Sequence, residues 1–454
     1  MSRHLFETYR LILLLLSLGS TLQIVSQPQV NYDESKVRPY TLEDPLCFVN
    51  GKKVHTVTDW EKRRQEILGI FQREMYGQIP PASPIWLDTQ EEGITLGGFA
   101  WRKQVRMFFR ADRTGPYIDW LILIPCHIQE PAPVIMTLNY YGNHTILADK
   151  EIIITKNWMD NDATFKIVNN HATEEGRGVY LNPNMRSTFP VSMILARGYA
   201  FVTACYADIS PDPERRKDNP DIQEKLAYTG VFSLWGERDS ERTDNTTALG
   251  AWGWALMRGM DMIECDSMLN EKKVVVTGSS RLGKAALIAG AFDTRFPVVV
   301  LNQTGGGGAP LAKRNFGENV ATEISMFTHW YCKAYSKYAG HEENMPFDQH
   351  LLLSCIAPRA LLVEGFDEKW FDTKGEFLAL QAASPVWEKL GKKGLPCVDW
   401  PNDYDTSAIG VNLGYVRRNL RHGLAVIDWE WMLSFADQHI NKKYLSTIRF
   451  INPA

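Results

Sequence analysis

The sequence is poor in cysteine, and its few cysteines follow no metal-binding or redox spacing. Seven occur in 454 residues, without a Cys-x-x-Cys pair and without histidines at the spacing of a zinc site. The cysteine pattern therefore argues against a zinc site. Because the count is odd, at least one thiol lacks an intramolecular partner, and we expect most to be small core residues.

The chain also lacks a charge excess of either sign. Lys and Arg total 49 against 53 Asp and Glu, a formal net charge of -4. Since nucleic-acid-binding domains carry a clustered basic excess, we expect no nucleic-acid partner. Internal repeats, sustained heptads and periodic glycines are missing too, while 11% of the residues are aromatic. This composition excludes collagen, coiled coil and a disordered chain.

No apolar run is long enough to span a membrane, but a short one lies near the N-terminus. Arg3 and Arg10 precede the apolar run 11–18, and small or polar residues follow to Ser26. This order predicts a signal peptide over residues 1–26 and a periplasmic or secreted protein, with no membrane association after cleavage. The alternative is an uncleaved amphipathic anchor.

Apolar strand patterns alternate with helical patterns along the rest of the chain. A first helix is predicted over Asp59–Tyr76. The predicted strands are Phe99–Phe109, Ile118–Ile124, Val134–Asn139, Ala200–Tyr206, Lys273–Thr277, Val298–Asn302 and Arg359–Glu364. The later predicted helices are Thr246–Cys265, Gly283–Phe292, Lys374–Leu390 and Asp428–Ile440. The alternation predicts an α/β fold with a mostly parallel central sheet.

Two polar stretches without periodicity interrupt this pattern, near residues 146–186 and 207–244. No Pro/Ser/Gly-rich tether separates them from the rest of the chain. We therefore predict one domain over residues 27–454, with both stretches as insertions around its active site.

The most informative motif is Gly278-Ser279-Ser280-Arg281-Leu282-Gly283-Lys284. It follows a valine-rich strand and opens a helix, which places Ser280 at a sharp strand-to-helix turn. That arrangement is typical of a nucleophile elbow, and the helix N-terminus favours an anion formed beside Ser280. Two alternatives are a structural glycine turn and a phosphate-binding loop, although Ala285 stands where the latter needs Ser or Thr.

A serine nucleophile needs a general base, and the order Ser, acid, His narrows the choice. Of the two histidines near the C-terminus, His439 falls within the last predicted helix, whereas His422 precedes it in a loop. We therefore predict His422 as the base. The loop after strand 359–364 offers Asp367, Glu368 and Asp372 as the orienting acid, and the residues alone do not choose among them.

Several segments of the chain resemble the glucuronoyl esterases, carbohydrate esterase family fifteen, especially the bacterial branch of that family. The matching segments are Trp60–Pro80, Arg102–Val105, Gly142–Thr145, Ala251–Trp254, Gly278–Lys284, Pro346–His350, Asp428–Trp429 and Phe435–Asp437. The resemblance implies an α/β-hydrolase sandwich that cleaves esters between 4-O-methyl-glucuronate side chains of xylan and lignin alcohols. It implies a glucuronoxylan or lignin–carbohydrate ester substrate, no metal or cofactor, and a chain that we expect to be monomeric.

The resemblance also implies roles for individual residues. Ser280 resembles the nucleophile, His422 the base and Arg281 the arginine that holds the oxyanion. The residues implied for sugar binding are Lys284, Glu318 and Trp370.

Two positions depart from the family pattern, Gln303 and Gly423, and the second stands where the family has Asp after the base His. Many members carry a catalytic Glu where this chain has Gln303, and others use an acid two residues before the sugar-site Trp. The second pattern predicts Glu368 as the acid, with Asp367 next. Gln303 and Gly423 also leave open a catalytically weakened protein that only binds glucuronoxylan. A related carbohydrate esterase with another acyl preference is a third alternative.

Overall fold

The computed structural model describes residues 30–182, 185, 187–214 and 221–441. The predicted signal peptide lies outside these residues. The strands of the described structure are β1 Trp86–Thr95, β2 Ala100–Phe108, β3 Tyr117–Pro125, β4 Ala132–Asn139, β5 Ile167–Val168, β6 His171–Ala172, β7 Ala200–Cys205, β8 Leu269–Ser279, β9 Val298–Asn302, β10 Ala360–Phe366 and β11 Leu413–Arg418. Its helices are α1 Val57–Glu74, α2 Val191–Ala196, α3 Tyr206–Ile209, α4 Ile222–Ala227, α5 Ala248–Glu264, α6 Arg281–Phe292, α7 Val320–Met326, α8 Gln349–Ser354, α9 Thr373–Lys389 and α10 Val426–Ile440.

Nine strands form one central sheet in the order β1-β2-β3-β7-β4-β8-β9-β10-β11. The first three strands and β7 pair antiparallel, and every pair from β7 to β11 is parallel. Strands buried on both faces read as continuous apolar runs, as in Val298–Asn302. The parallel half brings the carboxyl ends of β4, β8, β9, β10 and β11 to one edge.

Helices cover both faces of this sheet. On β4, Met136 lies against the position of Gly259 in α5. Its neighbour Ile135 pairs with Phe201 of β7, and Phe201 contacts Trp429 of α10. Because successive strand side chains point to opposite faces, α5 and α10 lie on opposite sides. The predicted α/β-hydrolase sandwich is confirmed.

Every strand and long helix predicted from the sequence is present, with ends shifted by a few residues. The helix predicted from Asp59 begins at Val57, because Thr56 and Asp59 form a reciprocal capping box. Strands β1 and β11 were not predicted, nor were the two-residue strands β5 and β6 within the stretch 146–186. In β1 the exposed outer positions break the apolar alternation, and β11 ends in two arginines.

All seven cysteines lie among the described residues, and each carries a free thiol. None of the helices in the described ranges combines the length and the apolar character that crossing a membrane requires.

Candidate active site

Ser280 lies at a strained turn between β8 and α6. Its backbone has φ 56° and ψ -131°, a combination that side chains other than glycine rarely adopt. The turn is tight because Gly278 precedes it: a Cβ there would lie 2.2 Å from the carbonyl oxygen of Leu282. The Ser280 amide donates to the Asn302 carbonyl at 3.0 Å, which ties the turn to the end of β9. This is the geometry of a nucleophile elbow.

His422 follows β11 and lines the same cavity as Ser280. Its imidazole stacks on Phe371, with ring centroids 4.8 Å apart and planes 21° apart, and contacts Phe366 at 5.6 Å. Both phenylalanines belong to the end of β10 and the loop after it. The loop that carries the predicted acid therefore packs directly against the predicted base.

A buried ion pair closes the loop that carries His422. Arg418, at the end of β11, pairs with Asp428 of α10 through its Nε at 2.6 Å and its Nη2 at 2.8 Å. Its Nη1 also donates to the Arg421 carbonyl at 3.0 Å. Both charged side chains are fully buried. The ion pair thus fixes both ends of the loop, which are ten residues apart in sequence.

The three carboxylates of the loop after β10 differ in their surroundings. Asp372 is buried, accepts from Arg314 Nε at 2.8 Å and caps α9 through the Gly375 amide at 3.0 Å. It is therefore a structural residue. Asp367 and Glu368 are both exposed, and the charge of Glu368, after burial, is the second cause that raises the pKa of Tyr32.

The cavity at the elbow has a volume of about 600 Å³. One wall is aromatic: Tyr141, which follows β4, stacks on Phe165 at 3.6 Å, and Phe165 contacts Tyr180 at 4.8 Å. The last two residues belong to the stretch 146–186. A larger cavity of about 1100 Å³, lined mainly by 223–245, holds neither Ser280 nor His422.

Tyr140 joins the loop after β4 to the elbow. Its hydroxyl donates to the Ser279 carbonyl at 2.6 Å. Burial raises the pKa of this phenol to about 12, although the nearby Arg281 charge and a hydrogen bond with Ser280 act in the opposite direction. Tyr140 therefore lies protonated beside the candidate nucleophile.

Arg281 lines the cavity next to Ser280, as predicted from its place at the start of α6. Its guanidinium forms an ion pair with the buried Asp212 and lies 4.8 Å from the Trp330 ring centroid. Burial lowers the Arg281 pKa, but the charge of Asp212, the neighbouring phenols of Tyr140 and Tyr206 and the hydrogen bond to Asp212 together outweigh it and raise the pKa. A permanent cation thus lies in the wall of the cavity that Ser280 also lines.

The residues predicted to bind sugar, Lys284, Glu318 and Trp370, are neighbours in the fold, but none of them is among the residues that line the cavity at Ser280. Lys284 is 2% exposed, and its Nζ lies 3.8 Å from Glu318 Oε2 and 4.7 Å from the Trp330 ring. The Glu318 carboxylate accepts from the Gly306 amide at 2.9 Å, and its backbone donates to the Trp370 carbonyl at 2.7 Å.

A second acid, Glu323, lies beside this group. It accepts hydrogen bonds from Tyr331 at 2.9 Å and Tyr335 at 3.3 Å. Burial raises its pKa to about 8, and the Lys284 charge lowers it only in part. No group of three or more His, Cys, Asp or Glu side chains in the described ranges is arranged to hold a metal ion.

Sequence reasoning missed Tyr140, Asp212, Glu323, His329 and Trp330. Tyr140 directly follows a predicted strand at the active edge, which was a usable signal. The other four come from loops and a short helix without periodicity. Asp212, His329 and Trp330 contact segments more than 40 residues away in sequence, whereas Glu323 accepts from tyrosines 8 and 12 residues further along the chain.

Comparison with known proteins identifies relatives over nearly the whole chain. A family model described as glucuronyl esterase, fungi, matches residues 189–391. Carbohydrate esterase MZ0003, from an unknown prokaryotic organism, is 36% identical over 94% of this chain and 98% of its own. A 4-O-methyl-glucuronoyl methylesterase from Schizophyllum commune is 32% identical over 81% and 80%.

Solved structures give the same family. A promiscuous family-fifteen carbohydrate esterase from a marine bacterial metagenome is 36% identical, with a TM-score of 0.82 over 90% of this chain and 100% of that one. A glucuronoyl esterase from Solibacter usitatus is 34% identical, with a TM-score of 0.80 over 89% and 99%. With relatives above 30% identity over most of both lengths, the chain belongs to the glucuronoyl esterases, carbohydrate esterase family fifteen, and is a carboxylic ester hydrolase.

Proposed function

We propose that this chain is a serine esterase that hydrolyses esters between 4-O-methyl-glucuronate side chains of xylan and lignin alcohols. The observation that carries the proposal is the cavity at the carboxyl edge of the sheet, where Ser280 at the elbow, Arg281 and His422 meet. The Schizophyllum commune relative is a 4-O-methyl-glucuronoyl methylesterase, which supports this substrate class.

The proposed mechanism uses two acyl-transfer steps. His422 takes the Ser280 hydroxyl proton as the serine oxygen attacks the uronate ester carbonyl. Arg281 stabilises the negative charge on the tetrahedral oxygen, and the C–O bond to the alcohol breaks as His422 returns the proton to that alcohol. Water then attacks the acyl-enzyme by the same route and releases the uronic acid. Glu368 is proposed to orient the imidazole and stabilise its cation.

Lys284, Glu318 and Trp370 are proposed to bind the uronate sugar. The Lys284–Glu318 pair supplies both a cationic donor and an anionic acceptor, which suits the alternating hydroxyls of a sugar ring. The fused aromatic surface of Trp370, which is only half-buried, offers an apolar platform for the ring face.

Export is part of the same proposal. A polymeric plant cell-wall substrate does not enter a cell intact, so the enzyme is proposed to be periplasmic or secreted. It is also proposed to be a monomer. Fractionation of the producing cells and size-exclusion chromatography of the purified protein test location and oligomeric state.

The test of the proposed function is hydrolysis of benzyl D-glucuronate by purified protein. We expect turnover by the wild type and a loss of at least about 10³-fold in S280A, since a triad without its nucleophile keeps only oxyanion and binding effects. No turnover by the wild type would favour a binding protein, which Gln303 and Gly423 motivate. Unchanged turnover by S280A would refute the assignment of Ser280.

A different acyl preference is the second candidate, because the 36% identical metagenomic relative is described as promiscuous. Comparing kcat/KM for methyl glucuronate with that for acetylated xylose distinguishes the two. The proposed function requires the glucuronate ester to be the better substrate.

A further inference from the structure

Asp212 is a buried carboxylate in the wall of the catalytic cavity, and the mechanism above does not use it. Its side chain is 1% exposed. Asp212 belongs to the 207–214 segment and packs against the 326–332 segment. Its Oδ2 pairs with Arg281 Nη1. Its Oδ1 accepts from His329 Nε2 at 2.6 Å and from the Trp330 indole N–H at 2.7 Å.

The charge of Asp212 is retained in this setting. Burial alone would raise its pKa, but the Arg281 charge and the donors on His329 and Trp330 outweigh it, so the pKa falls below the ordinary value for Asp. A carboxylate with all three donors in place forms strong, charge-assisted bonds. Removing it leaves the guanidinium without the only anionic partner that it has among the described residues.

Trp330 joins the carboxylate to the cation by a second contact. Its N–H binds Asp212, its face lies 4.8 Å from the Arg281 guanidinium, and its ring stacks on Phe327 at 3.8 Å with planes 4° apart. The guanidinium is thus held at its edge and at its face. Among the described residues, it forms hydrogen bonds through Nη1 alone.

We propose that Asp212, held by His329 and Trp330, is the positioning residue for Arg281 in the oxyanion site. A free arginine side chain has about 2 kcal/mol of rotamer entropy, whereas an oxyanion donor acts best when it is fixed before charge develops. Asp212 fixes Nη1 of Arg281, whose side chain is 24% exposed and lines the cavity beside Ser280. The stretch that carries Asp212 therefore contributes to transition-state stabilisation as well as to the cavity wall. The inference rests on the proposed function for the nucleophile Ser280, for the oxyanion role of Arg281 and for the identity of the substrate.

The test is the steady-state kinetics of D212N, W330F and R281M on benzyl D-glucuronate and on 4-nitrophenyl acetate. D212N should lower kcat by about 10²-fold, the loss typical of one oxyanion donor, with KM changed less than about threefold. W330F keeps an aromatic ring at this position but loses the indole N–H that binds Asp212, so its kcat should fall by about tenfold. In the R281M background D212N should cost less than about twofold more, because its effect passes through Arg281.

D437N is the matched control. Asp437 is also fully buried, forms an ion pair with Arg197 at 2.8 Å and accepts a hydrogen bond from the Tyr199 hydroxyl at 2.8 Å, but it lies on α10 and does not line the cavity. It should lower the melting temperature as D212N does and leave kcat unchanged. If D212N does not fold, W330F decides.

Two outcomes would overturn the inference: kcat within twofold of wild type in folded D212N or W330F, or an equal loss from D212N with and without Arg281. Failure of the proposed function has a different signature. In that case the wild type itself is inactive on the glucuronate ester, and the acetate ester still reports whether D212N impairs oxyanion stabilisation.

Discussion

The side-chain amide of Gln303 forms two hydrogen bonds with the backbone of Gly423, the residue that follows His422. Its Nε2 donates to the Gly423 carbonyl at 3.1 Å, and its Oε1 accepts from the Gly423 amide at 2.8 Å. Gln303 is fully buried with φ 50°. The two departures from the family pattern therefore fit one another: an amide, which both donates and accepts, matches a peptide unit.

We predict that Q303E, which restores the family's usual acid, slows this enzyme instead of improving it. An ionised carboxylate cannot donate to the Gly423 carbonyl, and burying it unpaired costs about 2–3 kcal/mol of unfolding free energy. The loop of His422 should loosen, and kcat should fall about tenfold or more. Urea unfolding and kinetics of Q303E and Q303A measure both effects. A kcat above that of wild type in Q303E would instead show that this position accepts a triad acid.

The strained backbone of Ser280 predicts that glycine at this position gives a more stable protein than alanine. Glycine accommodates φ 56° and ψ -131° without the clash of a Cβ, so S280G should be about 1 kcal/mol more stable than S280A. Both variants lack the hydroxyl, which makes S280A the matched control for backbone conformation alone. Equal or lower stability of S280G in urea unfolding would show that the turn is not strained.

Asp208 predicts a pH-dependent difference in stability. Burial, followed by the charge of Asp119, raises its pKa to about 7, and its carboxyl accepts from Asn157 at 2.7 Å. The folded state therefore binds a proton that the unfolded state releases above about pH 4, so wild-type stability falls as pH rises from about 4 to 7.

An Asn at position 208 can still accept these hydrogen bonds and does not ionise. The unfolding free energy of D208N relative to wild type should therefore increase by about 2–4 kcal/mol between pH 5 and pH 8. The exposed Asp112, whose pKa is lowered by hydrogen bonds from Thr114, is the control: D112N should show no such increase. Parallel pH profiles for D208N and wild type would mean that Asp208 is already ionised in the folded protein.

The local signals in the sequence were sufficient for the framework and for the nucleophile. Val298–Asn302 is a buried parallel strand, and its continuous apolar run gave its bounds without error. Gly278 and Gly283 marked the elbow because only small residues allow that turn. These features depend on a few neighbouring residues, which a single sequence records.

The remaining parts of the site depend on contacts between distant segments. Nothing near Asp212 in the sequence distinguishes it from a surface aspartate, and it is buried only because His329, Trp330 and Arg281 meet it from two other segments. The loop after β10 shows the opposite case. Its carboxylates were visible in the sequence, but only the structure separates Asp372, bound to Arg314, from the two exposed ones.

The remaining choice of orienting acid leads to a prediction for Glu368. It follows β10, its side chain is exposed, and its loop packs on the His422 ring through Phe371. Losing an orienting carboxylate costs a serine hydrolase about 10⁴-fold in kcat, because the imidazole is left in the wrong tautomer and its cation loses its partner. E368Q should therefore lose about 10³–10⁴-fold in kcat with little change in KM, and D367N, next to it on the same loop, less than about threefold. The pH–rate profile of E368Q should also lose its dependence on a carboxylate. A large loss in D367N alone would assign the acid to the preceding residue, and activity in both would mean that His422 is oriented from outside this loop.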